Sequence, residues 1–242
     1  MRIVIAGGTG QVGAPLAAAL DEQGHEVVVT SRARGVDVLT GAGLGEALAG
    51  ADAVVDVLNT GDLGDGAVGF FRETTERLLD AERRAGVGHH VLLSVVGADR
   101  ATGHGYTLGK VAQEAAVRRG RVPFSIVRAT QFHEHLPALA DQLTSGGVVH
   151  APRTLVEPVA LQDVVDLLAR TVTGAPSRTT VQIAGPQRFA LDDLLRELLR
   201  ARGDSREVRT VEGAVLADAL DALVPHGPHL TGGRSWPASA RA

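Results

Sequence analysis

The chain's one tyrosine and its one lysine stand four residues apart, in Tyr106-Thr107-Leu108-Gly109-Lys110. All the other strong cations are arginine, so ordinary charge is supplied as guanidinium and the single ammonium suggests a task that arginine does poorly. An ammonium is a compact charge on a flexible stem, able to sit beside a phenol and to bond two hydroxyls at once. Positions i and i+4 of a helix share a face, so both side chains are expected to point into one space. A phenol with a pKa of about 10 exchanges protons poorly at neutral pH, and a neighbouring cation lowers that value. The expected chemistry is general acid/base work, with Tyr106 as the acid and Lys110 as its tuner. Ser94, 12 residues before Tyr106, is placed at a strand end to hydrogen-bond a substrate oxygen. The plainer alternative is a buried Tyr with a surface Lys one turn on.

A second constellation opens the chain. The apolar run Arg2 to Ala6 is followed by Gly7, Gly8, Thr9, Gly10, Gln11, Val12 and Gly13, and then by the helical pattern of residues 14 to 23. G-x-G-x-x-G falls at Gly8, Gly10 and Gly13, between a strand and a helix, and Gly7 offers a second register. Glycines permit the tight turn and bring backbone close to a pyrophosphate, and the free N–H groups of the helix start face that anion. This predicts dinucleotide binding. The next strand, Glu26 to Thr30, ends in Ser31-Arg32-Ala33-Arg34, with no carboxylate to take a ribose hydroxyl as NAD sites tend to do. Arg32, with Ser31 and Arg34, is suited to a 2′-phosphate through charge-assisted bonds. NADP(H) is therefore expected over NAD(H).

Positioning these groups requires an alternating α/β chain. A short third strand is expected at Gly35 to Leu39, with Asp37 and Val38 where an adenine would lie, then a brief helix at Leu44 to Leu48. A strand at Ala53 to Leu58 ends beside Asn59 at the carboxyl edge of the sheet. A loop (Gly61 to Gly69) and a helix (Phe70 to Ala85) follow, then a strand (His90 to Val95), the helix carrying Tyr106 and Lys110 to about Arg119, and a sixth strand (Phe124 to Arg128). Strands separated by helices imply a doubly wound, mostly parallel sheet, the Rossmann arrangement. The expected division is a nucleotide-binding core, residues 1–152, and a small substrate-facing carboxy-terminal lobe, residues 153–242. Helices are expected there at Leu161 to Val172, Leu191 to Ala201 and Gly213 to Leu223, and strands at Thr180 to Ala184 and Val208 to Val211. The first of those strands is free to rejoin the main sheet. The tail from Pro225, rich in Gly, Pro and Ser, is expected to be loose.

Composition narrows the class. With 242 residues, 44% hydrophobic and 21% charged, the chain has the balance of a globular protein with a substantial core. It has no cysteine, which excludes a thiol nucleophile and a Cys-ligated metal and fits a cytoplasmic location. A first strand at Arg2 leaves no room for a signal peptide, and no apolar run approaches a membrane span. A net charge of −4 and few aromatics argue against nucleic-acid or membrane partners, leaving a small-molecule substrate. Helices flanking such a sheet leave room for an oligomer. His133 and His135 flank Glu134 near where substrate should enter, but i and i+2 diverge on a helix, so no metal site is expected. His89-His90 reads as structural, and Gly103, Gly105 and Gly109 around the Tyr/Lys pair suggest an irregular helix start.

Several of these motifs together resemble a known family. The Gly-Gly-Thr-Gly-x-x-Gly start, Leu93-Ser94-Val95-Val96-Gly97-Ala98-Asp99, Tyr106-x-x-x-Lys110 continuing as Val111-Ala112-Gln113-Glu114, and Arg128-Ala129-Thr130-Gln131-Phe132 are similar to those of the atypical, extended-type short-chain dehydrogenase/reductases of the NmrA-like group. The resemblance covers roughly residues 1 to 200. It implies a Rossmann fold with NAD(P)H at the glycine loop, Tyr106, Lys110 and Ser94 beside the nicotinamide, and Ala129, Thr130 and Gln131 lining its side. The reading that follows is an NADP(H)-dependent oxidoreductase acting on a ketone or quinone-like carbonyl. A non-catalytic NAD(P)H-sensing regulator is the alternative, because the group contains such members. A nucleotide-sugar epimerase is a third reading, disfavoured by the short carboxy-terminal lobe.

Overall fold

The computed structural model describes residues 1–62, 64–100, 105–212 and 221–236. Its main sheet has seven strands: β1 (Arg2–Ala6), β2 (Glu26–Thr30), β3 (Ala53–Asp56), β4 (His89–Val95), β5 (Phe124–Ala129), β9 (Thr180–Ala184) and β12 (Leu230–Thr231), in the order β12-β9-β5-β4-β3-β1-β2 and parallel throughout. Side chains alternate across a strand, and β1 shows the consequence. Ile3 and Ile5 pack with α1 (Gly13–Glu22) and α6 (Leu161–Thr173) on one face through Leu16, Leu20, Val164 and Leu168. Val4 packs on the other face with Leu78 of α3 (Gly66–Ala85) and Val117 of α4 (Gly105–Arg119). Chain order reverses between β1 and β3, the point where doubly wound sheets bind their ligands beyond the strand ends.

A third core cluster is built from α5 (Leu136–Gln142), α7 (Leu191–Ala201), and strands β7 (Val148–Pro152) and β8 (Leu155–Val156), closed by Trp236. Here β6 (Thr144–Ser145), β7 and β11 (Glu207–Val211) form a three-stranded sheet, and β8 pairs with β10 (Phe189–Ala190). A brief α2 (Leu44–Ala47) precedes β3. No helix among the described residues is long and apolar enough to cross a membrane.

Several elements differ from the sequence expectation. There is no strand at Gly35 to Leu39. A 3-10 turn at Arg32–Arg34 ends at Gly35 with φ +78°, and a single bridge joins Asp37 to Ala42. The Asp37 carboxylate accepts the Leu39 amide at 2.8 Å, so the chain turns instead of extending. β3 stops at Asp56, whose carboxylate takes the Leu58 amide at 3.0 Å, and α3 begins at Gly66 within the expected loop. The expected helix at Gly213 to Leu223 lies mostly outside the described residues. As far as Trp236 the tail from Pro225 is not loose: it adds β12 beside β9, ties Arg234 to Asp163 and buries Trp236. Its Trp236 and the guanidinium of Arg234 give it anchors that its small-residue composition obscured.

Candidate active site

A cleft of about 1190 Å³ crosses the carboxyl ends of β2, β1, β3, β4 and β5 and continues into the carboxy-terminal segments. Ligand pockets for single small molecules run to roughly 300–1,000 Å³, so this one has room for a dinucleotide and a second molecule. Its floor begins at the glycine turn. Gly7 has φ +85°, and a Cβ there would stand 3.0 Å from the Val57 carbonyl oxygen. A Cβ on Gly13 would overlap the Gly7 carbonyl, so only glycine lets α1 seat on the turn. Gly10 closes the turn by donating to the Gly7 carbonyl at 3.0 Å. Gly7, Thr9, Gly10, Gln11 and Val12 line the cleft, whereas Gly8 packs against Val29 of β2 and Gly13 under α1, both off the lining.

On the β2 flank the lining includes Ser31, Arg32, Asp37 and Val38, but not Arg34. The Ser31 hydroxyl is buried without a hydrogen-bond partner, which leaves a donor aimed at nothing in the protein. Leu58 and Asn59 line the cleft beyond β3, and Ala129, Thr130 and Gln131 beyond β5. The Thr130 hydroxyl is spent on the Glu157 carbonyl at 2.6 Å. The Gln131 side-chain oxygen is buried and unpaired.

Tyr106, Lys110 and Ser94 all line this cleft. Their relation differs from the expected tuning. Lys110 is buried; its Nζ donates to the Leu93 carbonyl at 3.2 Å and to the Gln113 side-chain oxygen at 2.9 Å. It also lies 4.2 Å above the centre of the Phe71 ring, a cation–π position. Gln113 passes its own N–H to the Asp56 carboxylate at 2.9 Å. Burial pushes the Lys110 ammonium down to about 8, against the opposing charges of Asp56 and Glu114. Tyr106 rests edge-on against the same Phe71 ring, with centroids 5.5 Å apart. Burial pushes its phenol up to about 12, so the expected lowering by Lys110 does not occur. The ammonium is aimed at Leu93 and Gln113, and desolvation of the phenolate prevails.

The helix bearing the pair is positioned by close packing. A Cβ on Gly109 would come within 2.6 Å of the Phe71 ring and 2.9 Å of the Ala67 carbonyl, and one on Gly105 would overlap the Gly64 carbonyl. These two glycines let α4 lie tightly against the start of α3; the expected irregular helix start is absent from Gly105 onward, and Gly103 lies outside the described residues. Below Ser94, Glu114 is gripped by Arg128 through two bonds of 2.8 Å. Burial raises its pKa, but the hydrogen bonds and charge of Arg128, with the bond from Arg118, hold it below the ordinary carboxylate value, while the Ser94 hydroxyl is buried without a hydrogen-bond partner.

Sequence reasoning missed Asp56, Gln113 and Phe71. Gln113 and Phe71 follow the α4 and α3 periodicities, but nothing local announces their shared partner. His90 is buried against Glu82 at 2.9 Å and His89 bonds Ser125 at 2.9 Å, so the pair opening β4 is structural. Of the two histidines that flank Glu134, His133 is buried and bonds the Pro158 carbonyl at 2.8 Å, while His135 is exposed and lines the cleft.

A family model described as NAD(P)H-binding matches residues 7–173. The chain belongs to this NAD(P)H-binding family, of the short-chain dehydrogenase/reductase type. A curated relative from Streptomyces griseus, (4-alkanoyl-5-oxo-2,5-dihydrofuran-3-yl)methyl phosphate reductase, is 31% identical over 221 residues, covering 83% of this chain and 74% of its own. Among solved structures, a short-chain dehydrogenase/reductase superfamily protein from Agrobacterium tumefaciens with bound NAD has a TM-score of 0.69 at 18% identity, covering 96% of this chain and 89% of its own. The dTDP-4-dehydrorhamnose reductase from Bacillus anthracis in complex with NADP has a TM-score of 0.70 at 14% identity, covering 93% and 90%. These likenesses agree with the Rossmann fold. As a member of the NAD(P)H-binding family, the chain is an NAD(P)-binding protein of oxidoreductase type.

Proposed function

We propose that the protein is a reductase that prefers NADP(H) over NAD(H) and reduces a ketone or quinone-like carbonyl, with Tyr106 giving the proton. The observation that carries this reading is the convergence of Tyr106, Lys110 and Ser94 on the cleft that the glycine turn opens. The residues present fit a dinucleotide. The turn at Gly7 and Gly13 has no space for a Cβ, and the Ser31 hydroxyl and Gln131 carbonyl are buried without partners. When bound, the nicotinamide supplies the hydride. With the Gly8 and Gly10 N–H groups spent on the Thr30 and Gly7 carbonyls, the remaining backbone N–H groups between Gly7 and Val12 would hold the pyrophosphate, and Arg32 and Ser31 a 2′-phosphate. Asp37 and Val38 would flank the adenine, Leu58 and Asn59 the adjoining ribose, and Gln131 the nicotinamide amide.

Lys110, anchored through Gln113 to Asp56, keeps a positive charge beside the reacting oxygen and is available to ribose hydroxyls. Ser94 would orient the carbonyl. A phenol at about 12 keeps its proton throughout the neutral range and surrenders it only to a stronger base, such as an alkoxide forming on the substrate. The name of the Streptomyces griseus relative describes a ring carbonyl conjugated with a double bond, which supports a conjugated carbonyl as substrate.

A non-catalytic dinucleotide sensor draws on one observation, that Lys110 spends donors on Leu93 and Gln113. Tyr106→Phe separates the two. NADPH oxidation with ketones and quinones should fall by roughly 10²–10⁴-fold, with NADPH affinity by calorimetry unchanged. Undiminished turnover in the variant, or none in the parent, removes the mechanism.

A further inference from the structure

Tyr106 and Lys110 share a neighbour that does not itself reach the cleft. Phe71 of α3 has no exposed surface and does not line the cleft. Its face lies 4.2 Å from the Lys110 Nζ, and the Tyr106 ring meets it in a T with centroids 5.5 Å apart and planes at 82°. Phe70, which does line the cleft, makes a second T with it at 5.4 Å. The ring comes this close because residue 109, in α4 between Tyr106 and Lys110, is glycine: a Cβ there would stand 2.6 Å from it.

A ring in this place does what a carboxylate could not. The ammonium has three N–H groups, and the Leu93 carbonyl and the Gln113 side-chain oxygen take two of them. A π face attracts the charge without demanding the third, whereas an ion pair would bind that donor strongly and draw it from the cleft. The carboxylates of the surrounding elements stand off. Asp56 of β3 is reached through Gln113, Glu114 of α4 is gripped by Arg128 of β5, and Glu82 of α3 is closed against His90 of β4. Resting on the reductase reading above, we propose that Phe71 is the positioning residue of the catalytic pair. Its face keeps the buried Lys110 charged with one donor left for the cleft, and its T contact fixes the Tyr106 ring beside that charge.

Lys110 is the chain's one lysine, so isotope-labelled lysine gives a single NMR signal that needs no assignment. In the parent protein its ε-methylene protons should lie upfield of ordinary lysine, because they stand over a ring face; an ordinary shift overturns the proposal. Phe71→Leu keeps an apolar side chain and removes the π face. The Lys110 midpoint, about 8 in the parent, should then fall by about one pH unit or more, since burial remains and the attraction is gone. The falling limb of kcat/KM should move to lower pH with it. A ring that only filled space would act the other way: its loss would admit water and let the ammonium return towards its ordinary, higher value. A midpoint that rises or stays in place overturns the proposal. The parent spectrum decides the matter even if the variant does not fold. Turnover is read separately: a parent that oxidises NADPH with no ketone or quinone defeats the reductase reading, while the NMR signal still reports whether the ring holds the ammonium.

Discussion

Lys110 is held between opposing demands. Burial drives its charge off, and the Asp56 carboxylate, reached through Gln113, helps keep it. Lys110 is protonated below about 8, so kcat/KM should fall as pH rises through that value. Asp56→Asn deletes a charge that favours the ammonium, so the falling limb should move to lower pH. A limb in the same place in both proteins would show that Asp56 does not set the charge. Arg32 makes a second residue-scale prediction. It lines the β2 flank, and its surroundings include the unpaired Ser31 hydroxyl. Hydrogen bonds to charged groups contribute about 1.5–3 kcal/mol, so Arg32→Ala should weaken NADPH by roughly tenfold or more and leave NADH unchanged. Calorimetry with both cofactors checks it. The Tyr106/Lys110 spacing was legible because i and i+4 on a helix is a local relation. The direction of the Tyr106 shift was not, because it depends on Phe71 and on burial by distant segments.

The glycine turn and the α3/α4 contact show how elements set these residues. At the turn every critical distance is between residues close in sequence, so Gly8, Gly10 and Gly13 could be read from spacing alone. Gly13→Ala would drive a methyl into the Gly7 carbonyl, lifting α1 from the turn. Binding of NADPH should weaken by at least tenfold and the melting temperature should fall, measured by calorimetry and thermal unfolding; an unaltered affinity would show that the turn relaxes without cost. Gly105 and Gly109 have the same steric role, but their partners, Gly64, Ala67 and Phe71, lie about 40 residues away. Their spacing therefore suggested looseness where the structure has close packing. The buried His90–Glu82 pair similarly joins α3 to β4, beneath Asp56, and no local pattern signals it.

At the scale of the whole molecule, the chain leaves the main sheet after β5 and returns twice, as β9 and as β12. The second return carries Trp236 into the third core cluster, where it meets His133 edge-on at 5.5 Å between ring centres. Large-to-small changes of a buried aromatic cost about 3–5 kcal/mol. Trp236→Ala should therefore lower unfolding free energy by about that amount in a denaturant titration, and a loss below about 1 kcal/mol would mean that the tail only rests on the surface. Leu139, Val156 and Leu191 of the same cluster also border the cleft, so the tail as far as Trp236 packs behind it.

From the amino-acid order alone came what short-range geometry dictates: the strand–turn–helix that seats a dinucleotide, the helix bearing Tyr106 and Lys110, and the alternation that makes a doubly wound sheet. The tertiary structure decided what depends on segments brought together across the chain. It aimed Lys110 at Asp56 through Gln113, closed Phe71 against Tyr106 and returned the tail to the sheet. The physical reason is that spacing along a chain determines which side chains share a face, whereas desolvation and long-range packing determine what that face meets.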